Sequence, residues 1–143
     1  MIDDALLPDP DDDSAPFWQA AARGELTIQE CGSCGRLRHP PRPMCPACRS
    51  FDATWRPMSG RGRVWSFAVP HPPLLPAFAA YAPYNVCVVE LAEDTSIRLV
   101  GNLVEAPGAG LDSVDPAAIA IGEEVRVVFE QVADVGLPRF VRI

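Results

Sequence analysis

The sequence contains no lysine, so all 12 basic residues are arginines, and it has only two histidines, His39 and His71. Both histidines lie in proline-rich stretches without a paired carboxylate or a serine motif. The sequence therefore does not support an enzyme that works alone, and we predict no catalytic residue. No apolar run approaches the roughly 20 residues that a membrane-spanning helix needs. The acidic N-terminus, MIDDALLPDPDDD, is unlike a secretory signal peptide.

These absences predict a protein without membrane contact. The five cysteines, four of which stand in metal-binding pairs, fit a reducing compartment. We therefore expect a cytoplasmic protein. The hydrophobic share of 48% is enough for a real core, organised as one domain or as a small module beside a larger one.

The net charge of −7 is unevenly distributed. Residues 1–13 carry six aspartates and no base, residues 14–63 carry eight arginines and three acids, and residues 64–143 carry four arginines and ten acids. Such an acidic C-terminal part is a poor general binder of nucleic acid phosphates, so we expect no nucleic acid partner. The basic middle could attract one anionic ligand or an acidic patch on a partner. Residues 1–14 are predicted to be a disordered acidic tail.

The most specific motif runs from Cys31 to Cys48 and reads CGSCGRLRHPPRPMCPAC. Its two Cys-x-x-Cys pairs, Cys31/Cys34 and Cys45/Cys48, are separated by ten residues. Two such pairs complete a tetrahedral sulfur site for zinc, which would have no open position for water. We therefore predict a structural zinc site.

Two disulfides or four free thiols are the alternatives to a metal. A disulfide across one Cys-x-x-Cys pair is typical of a redox motif, but that motif occurs singly and precedes a helix in a βαβ unit. No such unit is predicted here. Gly35 follows the first pair, where a positive φ is often needed, and Arg49 takes the equivalent place after the second pair, at the cost of some strain.

A short helix is predicted before the cysteine pairs. Ser14 is a candidate N-cap, Pro16 suits the first turn, and Gly24 ends the helix. Because about eight residues do not form a stable helix alone, Phe17 and Trp18 must pack against something. They could pack on the rest of this chain or dock on another protein.

The cysteine region is expected to form a small sheet. Residues 25–30 alternate polar and apolar side chains, as a strand does, residues 36–39 return from the first cysteine pair, and residues 54–56 form another short strand. His39 is predicted to be a solvated loop residue. Together with the helix, these elements define a predicted unit over residues 15–56, followed by a second unit over residues 57–143.

Five strands are predicted in the second unit, and the fold is predicted to be mainly β. They cover residues 63–69, 84–91, 96–104, 123–132 and 138–143, with a helical turn at residues 116–119. The stretch 84–91 is nearly all apolar and is predicted to be buried on both faces. Cys87 within it is predicted to be a small buried residue and not a nucleophile. The strand count suits a five-stranded barrel of the OB type, and an SH3-like barrel is the competing interpretation.

The interruption between the first two barrel strands, PHPPLLPAFAAYAP at residues 70–83, contains five prolines. A loop of this length in a small barrel is usually functional or disordered, and its large apolar side chains disfavour disorder. We predict a loop that contacts a partner or ligand; the alternative is a hydrophobic lid over the end of the barrel. Its candidate contact residues are His71, Leu75, Phe78, Tyr81 and Tyr84.

The order of these segments resembles a known family. A helix with Phe-Trp, two cysteine pairs around "PPR", and then "SGRGRVWSFAV", "APYNVCVVEL", "IRLVGNLV" and "IGEEVRVVFE" are similar to the zinc-ribbon and OB-fold proteins of the acyl-CoA-associated group, long known as a domain of unknown function. The resemblance covers about residues 15–143. It implies an N-terminal helix, a rubredoxin-like zinc ribbon that binds Zn²⁺ through Cys31, Cys34, Cys45 and Cys48, and a C-terminal OB-fold barrel.

The resemblance also implies a function. Members of this family act beside thiolase-like enzymes, including sterol-carrier-protein-type thiolases and aldolases of steroid side-chain degradation, usually as the non-catalytic subunit of a hetero-oligomer. The expected function is therefore an accessory subunit that completes or stabilises the active site of such a partner. The alternative is an acyl-CoA-binding protein that stands alone or accompanies a MaoC-type hydratase.

Acyl-CoA is a second expected ligand. Arginine forms bidentate contacts with phosphate and can stack on a base. Arginines near the junction of ribbon and barrel, among them Arg42 and Arg61, could hold the phosphates of CoA, or they could form a solvated face or ion pairs with a partner. Phe17 and Trp18 complete the set of candidate partner-binding residues.

Overall fold

The computed structural model describes residues 6–143 and begins with a turn that leads into helix α1, Ala15–Ala22. In this turn the Ser14 amide donates to Asp11 Oδ1 (2.8 Å), and the Asp11 amide donates to Ser14 Oγ (3.1 Å). Ser14 precedes the helix as predicted, but its side chain makes no capping hydrogen bond, so that part of the N-cap prediction is wrong. Of the predicted acidic tail, residues 1–5 lie outside the described residues.

The cysteine region forms a three-stranded antiparallel sheet. Its strands are β1 (Thr27–Cys31), β2 (Leu37–Arg38) and β3 (Ala53–Pro57), in the order β2-β1-β3. The side chains of β1 are largely buried, whereas β3 is mostly exposed. Cys31 is the last residue of the central strand, so the first cysteine pair lies at one end of the strands of this sheet.

The remaining strands close into a barrel, as predicted. They are β4 (Arg61–Ala68), β5 (Val86–Leu91), β6 (Arg98–Leu103), β7 (Glu124–Val132) and β8 (Val135–Arg142), in the closed order β4-β5-β6-β8-β7. All neighbouring pairs are antiparallel except β6 and β8. The prediction of a mainly β chain with a helix, a ribbon and a five-stranded barrel is confirmed.

Two details of the barrel differ from the sequence-based expectation. Strand β8 begins three residues before the predicted start at Pro138, because a tight turn with a positive φ at Ala133 (51°) joins it directly to β7. Strand β5 is not buried on both faces. Cys87 and Val89 point into the core, while Val86 and Val88 remain half-exposed on the outside of the barrel.

Helix α1 packs on the β7–β8 hairpin and on β1. Phe17, Ala20 and Ala21 are buried, so Phe17 packs on the body of its own chain. A Cβ atom at Gly136 would overlap the carbonyl of Ala21, and Gln131 Nε2 donates to that carbonyl (3.2 Å). The helix can approach the hairpin this closely only because residue 136 lacks a side chain.

The proline-rich stretch between β4 and β5 is not entirely irregular. It contains the one-turn helix α2, Pro76–Ala79, which has no buried residue. The Phe78 ring tilts against the Tyr84 ring, with centroids 5.9 Å apart.

Within the described part of the chain, no helix has the length and apolarity to cross a membrane.

Candidate metal centre and partner surface

The four paired cysteines come together at one point of the ribbon. Their Sγ atoms all lie within 4.8 Å of one another, with 3.5 Å between Cys31 and Cys48 and 3.7 Å between Cys34 and Cys45. Four Zn–S bonds of about 2.3 Å in a tetrahedron place sulfur atoms about 3.8 Å apart, so the observed spacing suits such an ion. A disulfide needs sulfur atoms about 2 Å apart, and all five cysteines have free thiols.

The two cysteine pairs sit in matching turns. The Gly35 amide donates to the Cys31 carbonyl (3.0 Å), and the Arg49 amide donates to the Cys45 carbonyl (2.9 Å). Gly35 and Arg49 have positive φ angles of 76° and 64°. The sequence-based expectation for both positions is confirmed, and the second turn accepts a side chain in a conformation that glycine adopts more easily.

Backbone amides in these turns stabilise thiolates. The amides of Cys34 and Ser33 each donate to Cys31 Sγ at 3.4 Å. These hydrogen bonds, of which that from Cys34 has the larger effect, lower the pKa of Cys31 to about 6. The Cys48 amide is the largest cause of a lowered pKa at Cys45. Zinc binds the thiolate and not the thiol, so these amides prepare both buried sulfurs for a metal.

The predicted partner-binding residues fall into separate regions. Trp18, Phe78 and Tyr84, together with Val86 and Val100, line a hollow of about 490 Å³ between helix α1, the segment at residues 6–8 that precedes it, the proline-rich loop and the barrel. We call this the aromatic hollow. It is the place where the structure brings several of the predicted contact residues together, although they are far apart in the sequence.

Other predicted contact residues lie outside the aromatic hollow. Phe17 is 4% exposed and belongs to the core. Leu75 is 58% exposed, and His71 is also exposed. Arg42 lines a pocket on the ribbon, and Arg61 lines another at the barrel, beside Glu90 and Glu124.

Sequence analysis missed outward side chains on the barrel strands β4, β5 and β6. Val100 is 57% exposed in the aromatic hollow, and Trp65 is 45% exposed with the Arg98 guanidinium 3.7 Å from its ring centroid. In residues 84–91 both alternating sets of positions are apolar, which suggested two buried faces, whereas the outward set of β5 is half-exposed.

His39 is not the solvated loop residue that was predicted. The centroid of its ring lies 5.4 Å from that of the Phe17 ring, and its Nδ1 is enclosed with no hydrogen-bond partner among residues 6–143. Burial lowers its pKa below the ordinary value of 6.5. Cys87 is fully buried as predicted, and burial is the main cause that raises its pKa to about 11, so it is a poor nucleophile.

Two family descriptions match this chain. "ChsH2, rubredoxin-like zinc ribbon domain" matches residues 18–53, and "ChsH2, C-terminal OB-fold domain" matches residues 55–130. Among solved structures, a chain of the "Ltp2-ChsH2(DUF35) aldolase" is similar with a TM-score of 0.81 and 39% sequence identity, over 95% of this chain and 98% of that one.

Three curated relatives extend the comparison. A probable enoyl-CoA hydratase alpha subunit of Thermomonospora curvata is 48% identical over 70% of this chain and 31% of its own length. The 3-oxo-4,17-pregnadiene-20-carboxyl-CoA hydratase alpha subunit of Mycobacterium tuberculosis is 37% identical over 88% and 37%. This chain thus spans about a third of both hydratase subunits. A DUF35 domain-containing scaffold protein of Methanothermobacter thermautotrophicus is 36% identical over 80% of this chain and 78% of its own.

Proposed function

The chain belongs to the ChsH2-type zinc-ribbon and OB-fold family, also called DUF35, and we propose that it is a non-catalytic accessory subunit of a thiolase-like enzyme that acts on acyl-CoA. The proposed partner is an aldolase or thiolase, and steroid side chains are a candidate substrate class. The proposed assembly is a cytoplasmic hetero-oligomer in which this chain completes or stabilises the active site of the enzyme.

One observation carries this proposal. The aromatic hollow presents apolar and aromatic side chains from the segment at residues 6–8, helix α1, the proline-rich loop and the barrel, and Val100 within it is 57% exposed. A contiguous apolar patch of this kind is typical of a protein contact, where aromatic side chains supply much of the binding energy. The similarity to nearly the full length of a chain in an aldolase assembly supports an enzyme as the partner.

A role without catalysis suits the chemistry of the described residues. Cys31, Cys34, Cys45 and Cys48 would hold a zinc ion, which would fix the ribbon and offer no position for a substrate. Cys87 has a raised pKa, and its Sγ donates to Asn85 Oδ1 (3.2 Å) and not to a base. These groups fit a structural role better than a nucleophilic one.

A second candidate function is an acyl-CoA-binding protein that accompanies a hydratase. The relatives named as hydratase alpha subunits favour it, since their matching region covers most of this chain. Under this candidate the partner surface is the same, but the captured enzyme differs. Identification of the partner therefore separates the two functions.

The test is a pull-down of the tagged, zinc-loaded chain from native lysate, followed by mass spectrometry. We expect a thiolase-like enzyme in stoichiometric amount, and we expect Phe78→Ser in the aromatic hollow to reduce its recovery at least about tenfold. Phe51→Ser is the matched control, because Phe51 is 73% exposed and lies on the ribbon outside the hollow. A hydratase in the eluate would support the second function, and equal recovery with both variants would contradict the proposed surface.

A further inference from the structure

The outer face of strands β4, β5 and β6 carries an arginine stacked on a tryptophan. The Arg98 guanidinium lies over the Trp65 ring, 3.7 Å from its centroid, although β5 separates their two strands in the sheet. Both residues are exposed. The attraction between the cation and the face of the ring holds the guanidinium in place and leaves its edges open to a further partner. We call this pair the Arg98–Trp65 stack.

An irregularity in β4 occurs at the residue that carries the stack. In the pairing of β4 with β5 the register shifts between Val64 and Ser66, so Trp65 has no residue opposite it on β5. Val64 lies in the core and Phe67 packs against it, although strict alternation along a strand would place residues three apart on opposite faces. β-Bulges of this kind redirect side chains and are frequent beside binding sites.

The charge of Arg98 is not neutralised by the described part of this chain. Glu90 is directly opposite Arg98 in the pairing of β5 with β6, where residues of opposite charge commonly interact. Among residues 6–143, however, Arg98 forms no ion pair and no hydrogen bond through its guanidinium. Arg98 is therefore a fixed cation with free N–H donors, and a carboxylate matches the geometry of its planar fork.

The Arg98–Trp65 stack is continuous with the aromatic hollow. Val100 follows two residues after Arg98 on β6, so both side chains lie on the same outer face, and Val100 lines the hollow. On the neighbouring strand β5, Val86 and Val88 are half-exposed. An apolar surface with a tryptophan and an arginine has the composition of the centre of a protein–protein contact, where both residue types are enriched. The apolar surface thus extends from the hollow across three strands.

We infer that the Arg98–Trp65 stack binds a carboxylate of the partner subunit, carried by an aspartate or glutamate that apolar side chains flank. The guanidinium holds both carboxylate oxygens through paired hydrogen bonds. Because Trp65 already fixes the guanidinium, little side-chain freedom is lost on binding. The inference rests on the proposed accessory role and adds the chemistry that the enzyme must present to this surface.

The test measures the affinity of the zinc-loaded chain for the enzyme that the wild-type chain captures, after purification of that enzyme. Arg98→Gln should weaken binding at least about tenfold. Arg98→Glu should weaken it at least about fivefold more, because the new carboxylate repels that of the partner. The difference between wild type and Arg98→Gln should shrink at about 0.5 M salt, since ions screen an exposed pair. Equal losses for glutamine and glutamate would indicate an uncharged acceptor and overturn the inference.

Trp65→Leu tests whether the ring positions the arginine. Without the ring the guanidinium is no longer held, so Arg98→Gln should weaken binding less in the Trp65→Leu background than in the wild type. Losses that multiply independently would contradict this role of the ring. Since both residues are exposed, the melting temperature of each free variant should stay within about 3 °C of the wild type. A larger fall would assign the stack a structural role and overturn the inference.

Arg126→Gln and Arg126→Glu are the matched controls. Arg126 is also exposed and forms no ion pair among residues 6–143, but it lies on β7, which pairs with neither β5 nor β6. Unchanged affinity in both controls would support a specific contact at Arg98. Losses equal to those of the Arg98 variants would indicate a general effect of charge and overturn the inference.

Two further outcomes separate this inference from its alternatives. A free chain that sediments as a dimer, and as a monomer after Arg98→Gln, would identify a second copy as the occupant of this surface and overturn the inference. If the wild-type chain captures no enzyme, the proposed function fails together with the inference. If the captured enzyme binds Arg98→Gln as tightly as the wild type, the inference alone fails and the accessory role stands.

Discussion

At the scale of single residues, chemical character depends on what encloses a side chain. His39 and His71 both have prolines as sequence neighbours, yet the His39 ring packs against Phe17, whereas His71 is exposed. Likewise, four cysteines lie in turns whose amides face sulfur, while Cys87 lies in a barrel strand. Hydrogen bonds from the Cys34 and Ser33 amides lower the pKa of Cys31 to about 6, whereas burial raises the pKa of Cys87 to about 11. The clustered cysteines do not all shift alike, because the pKa of Cys48 is raised to about 11.

The enclosure of His39 predicts a pH-dependent loss of stability. Its pKa is lower in the folded chain than the ordinary 6.5 because burial disfavours the charged ring. The neutral ring therefore contributes its full stability above about pH 6.5, and this contribution is lost as the pH falls through the folded-state pKa. Thermal melting from pH 7 to pH 5 should show a smaller fall in Tm for His39→Phe than for the wild type. His71→Phe should behave like the wild type, and a wild-type-like slope for His39→Phe would contradict the prediction.

Loss of one cysteine ligand should abolish metal binding. Cys45 is fully buried and belongs to the sulfur cluster, so Cys45→Ser leaves three thiolates and a hydroxyl that zinc binds poorly. We expect the purified variant to contain almost no zinc, whereas the wild type contains about one ion per chain. Elemental analysis measures this. Cys87→Ser is the control and should keep its zinc; a zinc-free Cys87→Ser protein would argue against the assigned ligand set.

At the scale of elements, the close approach of helix α1 to the β7–β8 hairpin depends on Gly136. A methyl group at this position would overlap the Ala21 carbonyl. Gly136→Ala should therefore displace the helix and lower the free energy of unfolding by about 1–3 kcal/mol. Denaturant unfolding measures it. Gly110→Ala is the control with an expected change within about 0.5 kcal/mol, because its nearest neighbour is the mobile end of the Asp112 side chain. Equal effects would contradict the packing argument.

A buried amide at Asn85, the residue before β5, is hydrogen-bonded to the last residue of β6. Asn85 is fully buried; its Nδ2 donates to the Leu103 carbonyl (2.9 Å), and its Oδ1 accepts from the Leu103 amide (2.7 Å). Asn85→Leu would leave both backbone groups without partners. We expect a loss of about 2–4 kcal/mol in the free energy of unfolding, measured by denaturant titration. A loss below about 0.5 kcal/mol would show that water reaches these groups in the variant.

At the scale of the whole molecule, the ribbon and the barrel are stabilised by different means. The barrel is a closed sheet around an apolar core that includes Val64, Leu103 and Phe140 and that continues into the ribbon side through Leu26 and Ile28. The ribbon sheet has only three strands, and its β3 is mostly exposed, so it depends on the proposed metal.

Removal of the metal should therefore affect the two parts unequally. After treatment with a strong chelator, hydrogen–deuterium exchange should accelerate in residues 27–57 and change little in β5 and β6. Zinc added back should restore the original exchange. Equal acceleration in the barrel would show that the two parts unfold together and would contradict a division of the chain near residue 57.

Much of this architecture could be predicted from the sequence because its signals are local. The spacing of Cys31, Cys34, Cys45 and Cys48 defines two turns, and tetrahedral sulfur geometry then brings the turns together. Alternating side chains, or a nearly continuous apolar run at residues 84–91, located the barrel strands, and the apolar share predicted a core. Ends of strands were less certain, as at β8, because a two-residue turn at Ala133 leaves no strong local signal.

Only the tertiary structure decided which surfaces the molecule presents. The aromatic hollow joins Trp18 to Tyr84 and Val100, and a pocket on the ribbon side joins Arg38 to Ser96 and Ile97. These residues are far apart in the chain, and no periodic pattern relates one to another. The sequence by itself determined the set of candidate metal ligands and the type of fold, since both follow from short-range spacing. Barrel closure and the docking of α1 decided the two cavities, since a cavity exists only between elements that have already packed.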